Sequence, residues 1–227
     1  EGEALVCRFT EKGKTGEAAA ERILLAIGRR AATEGLFAEG VSVETERGAV
    51  KVNERFETSL PGVYAIGDVI FGGVQLAHAA SAEGIGAVEG MAGEAPPVNL
   101  WVVPSCIYTE PEIASAGITA DEAKQRGAAV KTGKFIMTAN GKTLIEGADR
   151  SFVKLVFSAE DDRLLGAQLM CPRATDLISE LAAAIANGLT GRQLASVIRP
   201  HPTFCEAVTE AVEAASGKAI HAAPPRR

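Results

Sequence analysis

The sequence predicts an α+β chain whose C-terminal part lays helices on one face of an antiparallel sheet. Two observations carry that expectation. Residues 151–158 alternate apolar and polar, and after the acidic turn Glu160-Asp161-Asp162 residues 164–170 return as a second apolar run, a pattern that reads as an antiparallel hairpin. Three helical segments then follow: 175–186 closed by Asn187-Gly188, 191–197, and 203–215. With helices gathered on one face, the other face of the sheet is free to pair with a second copy.

The remaining elements are read in chain order. Residues 4–9 and 21–27 are expected to be strands flanking a polar turn at 11–16, and Gly28-Arg29-Arg30 leaves the second of them as a loop. Residues 41–57 alternate and lead into a unit spanning 60–93. There a Pro61-Gly62 turn precedes a short apolar strand, 63–66, which ends at Gly67-Asp68. Leu76-Ala77-His78 opens an Ala- and Gly-rich helix running to Gly90, and Pro96-Pro97 marks a boundary. Beyond it come a strand at 102–108 and a helix at 119–126 with a capping box, Thr119 and Glu122, and a stop at Gly127. Strands are expected at 135–137 and 144–146, and the terminal AAPPRR reads as a disordered tail.

Composition narrows the class. With 47% apolar residues and a net charge of −6, the chain is a globular piece without the basic surface that nucleic acid requires. Its longest apolar runs are broken by charges, so no membrane span is expected. Cys7, Cys106, Cys171 and Cys205 are too far apart in sequence for a redox or metal-ligand pair. They read as mostly buried thiols, Cys205 with a packing role, and suit a reducing cytoplasm. The chain opens at Glu1 in what reads as the middle of a domain, and we expect it to be a C-terminal fragment of something longer.

Two stretches carry chemistry. In His201-Pro202-Thr203-Phe204-Cys205-Glu206 an imidazole stands just ahead of a helix and a carboxylate in its first turn, a pair able to move protons. The same spacing is a capping box, which accounts for Thr203 and Glu206 through backbone N–H groups alone and leaves His201 a structural histidine. In the other stretch, Gly67 and Asp68 sit at a strand end, where a carboxylate can accept hydrogen bonds from a polyol, or simply terminate a turn. The start of the helix at Leu76-Ala77-His78 presents free N–H groups to an electron-rich ring.

The segments ILLAIGRR, VYAIGDV, QLAHAASAEG, YTEPEIASAGIT and PHPTFCEAV fall in the order found in the flavoprotein disulfide reductases with two dinucleotide-binding domains. The chain resembles that family, and within it most closely the dihydrolipoamide dehydrogenases. The resemblance implies FAD and NAD as cofactors. It implies that Gly67-Asp68 binds the FAD ribityl chain, that Leu76, Ala77 and His78 contact the flavin through backbone, and that Gly28 borders the NAD site. It further implies that His201 exchanges protons with a substrate dithiol while Glu206 orients it, the pair serving the flavin of the opposite subunit.

The expected division is therefore 1–30 as the tail of an NAD-binding domain, 31–97 as an FAD-contacting segment, 98–220 as a dimerisation domain, and 221–227 as a tail. The expected partners are a second copy and the lipoyl domain of a 2-oxo acid dehydrogenase complex. The family's Gly-rich fingerprints and its Cys-x4-Cys pair do not occur in this chain. Arg199 stands where dihydrolipoamide dehydrogenases often carry another histidine, TANGKTLIEG replaces an Asn-Ser-Arg-Ala-like segment, and Ala31-Ala32 stand where Pro is frequent. Glutathione-type reductases share the His-Pro-Thr and Glu spacing. Two alternatives thus accompany the dehydrogenase: a reductase of that type, and a dimerisation module inert by itself.

Overall fold

The computed structural model describes residues 4–94, 99–148 and 151–222. Its N-terminal hairpin pairs β1 (Leu5–Glu11) with β2 (Lys14–Ala20) antiparallel, from Leu5 opposite Ala20 to Glu11 opposite Lys14. Lys12 and Gly13 both have positive φ, the geometry of a two-residue hairpin turn that matches strand twist. So tight a turn fixes the return strand at Lys14 and corrects the expectation of a strand at 21–27. That run has no partner strand among the described residues, and Leu24, Leu25 and Ile27 are 89%, 76% and 87% exposed.

The next segment holds a second tight hairpin, β3 (Thr45–Glu46) with β4 (Ala49–Val50), around Arg47-Gly48. Residues 63–66 do not form the expected strand: Tyr64 makes only an isolated bridge with Glu57. Gly67, at φ +70, turns the backbone out of the extended region into a 3-10 turn over Gly67–Val69, which leaves no room for a ladder. Helix α1 (Ala77–Ala92) follows as expected and ends at Gly93 in the left-handed conformation. The expected boundary at Pro96-Pro97 lies outside the described residues, as does the tail from Ala223.

Five strands build the C-terminal sheet: β5 (Ser105–Ile107), β6 (Ile113–Gly117), β7 (Val130–Ile136), β8 (Phe152–Ser158) and β9 (Leu164–Met170), all antiparallel in the order β5-β6-β9-β8-β7. The β8–β9 hairpin is the one the alternation predicted. Strand β6 was not expected, because IASAG has too little apolar contrast to show a period. Helix α2 (Ala120–Gln125) carries the expected capping box. Leu144 and Ile145, expected with Glu146 as a strand, belong instead to helix α3 (Gly141–Ile145), nucleated by Asn140, whose side chain accepts the Thr143 N–H at 3.0 Å.

Register places Ala114, Leu169, Val153 and Phe135 in one row and Ala116, Ala167 and Leu155 in the next, all buried on one face. Helices α4 (Ala174–Ala186) and α6 (Glu206–Ala214) cover that face with Ile178, Leu181, Ala207, Val208 and Ala211, and α5 (Gly191–Ala195) links them. Gly133 lets α6 approach closely, since a Cβ there would stand 1.8 Å from the Ala211 carbonyl oxygen. The opposite face carries a continuous cross-strand row, Ile107, Ile113, Met170, Phe152 and Ile136, with its three isoleucines exposed. Of the four cysteines, only Cys171 is fully buried, which corrects the expectation for the others. Burial, then the Glu112 charge, pushes its thiol up to about 12.

Candidate functional site

The segment entering α6 is held from behind by Arg199. Its side chain is 4% exposed and pairs with Glu180 of α4. It also donates to the Leu194 carbonyl at 3.2 Å and to Thr209 Oγ1 at 2.8 Å. Buried Asn140 holds the segment from the front, donating to the Thr203 carbonyl at 3.0 Å. Between these anchors the His201-Pro202 peptide is cis, and His201 Nδ1 lies 2.8 Å from Glu206 Oε1.

The expected capping box forms only by half. Glu206 Oε2 accepts the Thr203 N–H at 2.8 Å, but Thr203 Oγ1 donates to the Pro200 carbonyl at 2.6 Å and does not cap the helix. Helix α6 accordingly starts at Glu206 with no side-chain cap. Thr203 is diverted by the turn before it, and Glu206 is left with one oxygen on backbone and the other on the imidazole. Burial works to raise the Glu206 carboxyl, yet the Thr203 N–H, the His201 hydrogen bond and charge, and the His221 charge together hold it below its ordinary value.

An ionised carboxylate on Nδ1 fixes the tautomer with the proton on that nitrogen and leaves the Nε2 lone pair free. Nε2 has no hydrogen-bond partner among the described residues, and the ring is 75% exposed while Glu206 is 28% exposed. The acid faces inward and the base outward. The pair lines a cavity of about 440 Å³ whose walls include Asn140, Arg199, Glu210 and His221.

The second cluster sits on the N-terminal half. The Gly67 N–H donates to Glu83 at 2.6 Å, a buried acid in the middle of α1, so the Gly67-Asp68 turn is tied to the helix behind it. Arg29, next to Gly28, pairs with Asp68 at 2.7 Å and donates to the Gln75 carbonyl. One arginine, next to Gly28, thus bonds to Asp68 and to Gln75, the residue just before Leu76. Leu76 is the N-cap of α1 and Ala77 its first residue, with no side-chain cap and no acid in the first turn. The His78 ring turns away to the Pro104 carbonyl at 2.7 Å.

These features fit a flavin: a half-exposed carboxylate for hydroxyls, and an open helix N-terminus for an electron-rich ring edge. Among the described residues nothing lies within 4 Å of where a Gly28 Cβ would be, so Gly28 by itself forms no cradle for a nicotinamide nucleotide. No hydrogen bond or ion pair among the described residues joins this cluster to the His201–Glu206 pair. Among the described residues no His, Cys, Asp or Glu group is arranged to hold a metal, and no helix is long and apolar enough to cross a membrane.

Reading the sequence alone missed Arg29, Glu83, Asn140, Arg199 and the Glu210–His221 pair. Glu83 had a signal, as a lone acid inside an Ala- and Gly-rich helix. The others depend on partners 19 to 63 residues away, apart from Glu210 with His221, which the chain folds back to meet.

Residues 103–212 match the family described as pyridine nucleotide-disulphide oxidoreductase, dimerisation domain, and residues 2–84 match that described as pyridine nucleotide-disulphide oxidoreductase. The chain is 48% identical to a dihydrolipoyl dehydrogenase of Bacillus subtilis over 92% of its own length and 44% of the relative's. It is 44% identical to one from Thermus scotoductus over 97% and 48%, respectively. Among solved structures, LpdA from Mycobacterium tuberculosis superposes with a TM-score of 0.80 at 28% identity, covering 88% of this chain and 44% of that one. The HOCl-induced flavoprotein disulfide reductase RclA of Escherichia coli shares the fold at 24% identity and a TM-score of 0.80, over 91% and 47% of the two chains. The chain spans about half the length of the relatives it matches.

Proposed function

We propose, from the premise that this chain belongs to the pyridine nucleotide-disulphide oxidoreductase family, that it is the C-terminal part of a dihydrolipoyl dehydrogenase and supplies its acid–base pair. The observation that carries this reading is the His201 Nδ1 to Glu206 Oε1 contact of 2.8 Å, with Nε2 turned outward. A dithiol attacks a disulfide only as thiolate. His201 Nε2 accepts the proton of one substrate thiol, and the resulting thiolate attacks a disulfide that lies outside this chain. That attack breaks the S–S bond, leaving a mixed disulfide and a thiolate that takes the proton back from the imidazolium. The freed imidazole then deprotonates the second substrate thiol, which attacks the mixed disulfide, closes the lipoyl ring and expels the other thiolate. Two electrons thus pass to the former disulfide, and the substrate loses two protons. Glu206 stays ionised throughout and stabilises the imidazolium, while Arg199 and Asn140 keep the loop in place.

Asp68 and the N-terminus of α1, with Leu76, Ala77 and His78, would hold FAD, which when bound supplies the two-electron acceptor for the reduced disulfide. Arg29 would keep one Asp68 oxygen occupied and the other free for a ribityl hydroxyl. Gly28 would border an NAD site that other residues complete. The apolar row Ile107, Ile113, Met170, Phe152 and Ile136 supports a homodimer through the open sheet face, which would present His201 to the flavin of the partner subunit. On this reading 1–30 closes the NAD-binding domain, 31–97 contacts FAD and 98–220 dimerises. The substrate would be a protein-bound lipoyl group, and the unpaired cysteines suit a cytoplasmic setting.

The test is His201→Gln in the full-length flavoenzyme. Oxidation of dihydrolipoamide is expected to fall by about 10² to 10⁴-fold with flavin content unchanged. Unchanged turnover would remove His201 from the reaction.

A further inference from the structure

Helix α6 carries two carboxylates one turn apart, Glu206 and Glu210, and both line the same cavity. Each is met by an imidazole from the chain flanking the helix, His201 before it and His221 after it. Glu210 is buried and its carboxylate is fully used. Oε2 accepts the Ile220 N–H at 3.1 Å and the His221 N–H at 2.9 Å, and Oε1 lies 2.9 Å from His221 Nδ1. This three-point hold keeps the residues after α6 from fraying and sets the His221 ring, 63% exposed, at the cavity rim. The acid–base reading leaves this second pair unused.

The ionisable groups lining the cavity are Arg199, His201, Glu206, Glu210 and His221. The Arg199 charge is committed to Glu180 of α4. On the other elements packed against α6, Lys131 of β7 pairs with Asp162, and Arg192 of α5 lines a different cavity. Lys134 of β7 lies over the Phe152 ring with Lys154 of β8 opposite it in register, both on the far face of the sheet. His221, although paired with Glu210, is therefore the one cation besides His201 among these groups whose charge acts on the Glu206 carboxyl.

We propose that Glu210 and His221 are a positioning pair for the first pair: Glu210 holds the ring at the rim, and the charge on His221 sets how fully Glu206 is available to His201. This deepens the reading of His201 as the base and rests on it. Protonated His221 draws on the field of Glu206, whereas neutral His221 leaves that carboxylate to His201. The pH response of the site then belongs to four coupled groups and not to two.

The experiment is a carbon-detected NMR titration of the Glu206 carboxyl in this chain, compared with His221→Gln and Glu210→Gln. Removing the cation with His221→Gln is expected to raise the Glu206 midpoint by about 0.3 pH unit or more, whereas Glu210→Gln, which removes an anion and frees the ring together, is expected to shift it less. Midpoints that stay put in both variants would overturn the proposal and leave Glu210–His221 a clasp on the tail. A lower Glu206 midpoint in His221→Gln would also overturn it, because losing a cation that acts on this carboxyl can only raise the midpoint. Should Glu210→Gln fail to fold, the solvent-facing His221→Gln decides the sign by itself. The titration needs no turnover, so its failure is separate from that of the base assignment, which falls only if His201→Gln turns over dihydrolipoamide unchanged.

Discussion

Residues 103–212 and residues 4–94 solve the burial problem differently. Every member of the main hydrophobic cluster lies between Ala114 and Val212, where a five-stranded sheet and two helices share one face. In the N-terminal half the buried apolar residues are Val50, Ile70, Ala79 and Ala87, and β1 and β2 leave nearly their whole length exposed. The C-terminal half makes its own core, and its site is accordingly built from side chains locked on both sides. The N-terminal half presents Asp68 and the start of α1 on a scaffold tied mainly by Arg29 and Glu83. On the proposed reading, the His201–Glu206 pair has the fixed geometry that proton transfer requires, whereas the N-terminal cluster would be completed by other parts of a protein.

Mutations at the centre of the sheet probe this contrast most strongly. Leu155→Ala removes a fully buried side chain from β8 and is expected to cost about 3 to 4 kcal/mol in urea unfolding. Gly133→Ala should follow at roughly 2 to 3 kcal/mol, because its Cβ would meet the Ala211 carbonyl oxygen and push α6, with Glu206, off the sheet. A loss of the His201–Glu206 coupling by NMR should accompany it. In the N-terminal half, the chain by itself is expected to retain no stoichiometric flavin after gel filtration, since on the proposed reading it would offer a flavin only Gly67-Asp68 and the start of α1. A bound flavin spectrum would break the contrast.

A smaller effect concerns pH. Glu206 titrates below its ordinary value of 4.5 in the folded state. Its contribution is therefore whole above that value and is lost as pH falls through the folded one. Glu206→Gln should lower stability near neutrality by about 0.5 to 1 kcal/mol, with the difference from the parent closing on acidification. Urea midpoints at pH 7 and pH 3 measure it. The smallest effect belongs to Leu24→Ser, expected within about 0.5 kcal/mol because the residue is already in water. A cost comparable to that of Leu155→Ala would show that 21–27 is buried after all.

Where a residue's surroundings are local, its role was legible. Alternation at 151–158 with an acidic turn produces the β8–β9 hairpin, Thr119 and Glu122 produce their capping box, and Asn187-Gly188 closes α4, because each depends on neighbours within a few positions. His201 and Glu206 were legible for the same reason, being five residues apart. The apolar pair Leu144-Ile145 misled, since two residues show no period and the cap at Asn140 decided the outcome. Apolar 21–27 misled because a strand needs a partner, and the tight turn at Lys12-Gly13 gave that place to Lys14–Ala20.

By itself, then, the sequence determined the local elements, the α+β class and the order of motifs that identifies the family. Only the tertiary structure decided how those motifs meet. Arg29 reaches Asp68, 39 positions along the chain, Asn140 reaches Thr203, 63 positions along, and Thr203 gives up its cap to Pro200 so that Glu206 faces the imidazole. Short-range geometry is set by backbone preferences that each residue carries with it. Long-range pairing follows from which faces the packed sheet and helices bring together, and no single stretch of sequence contains that information.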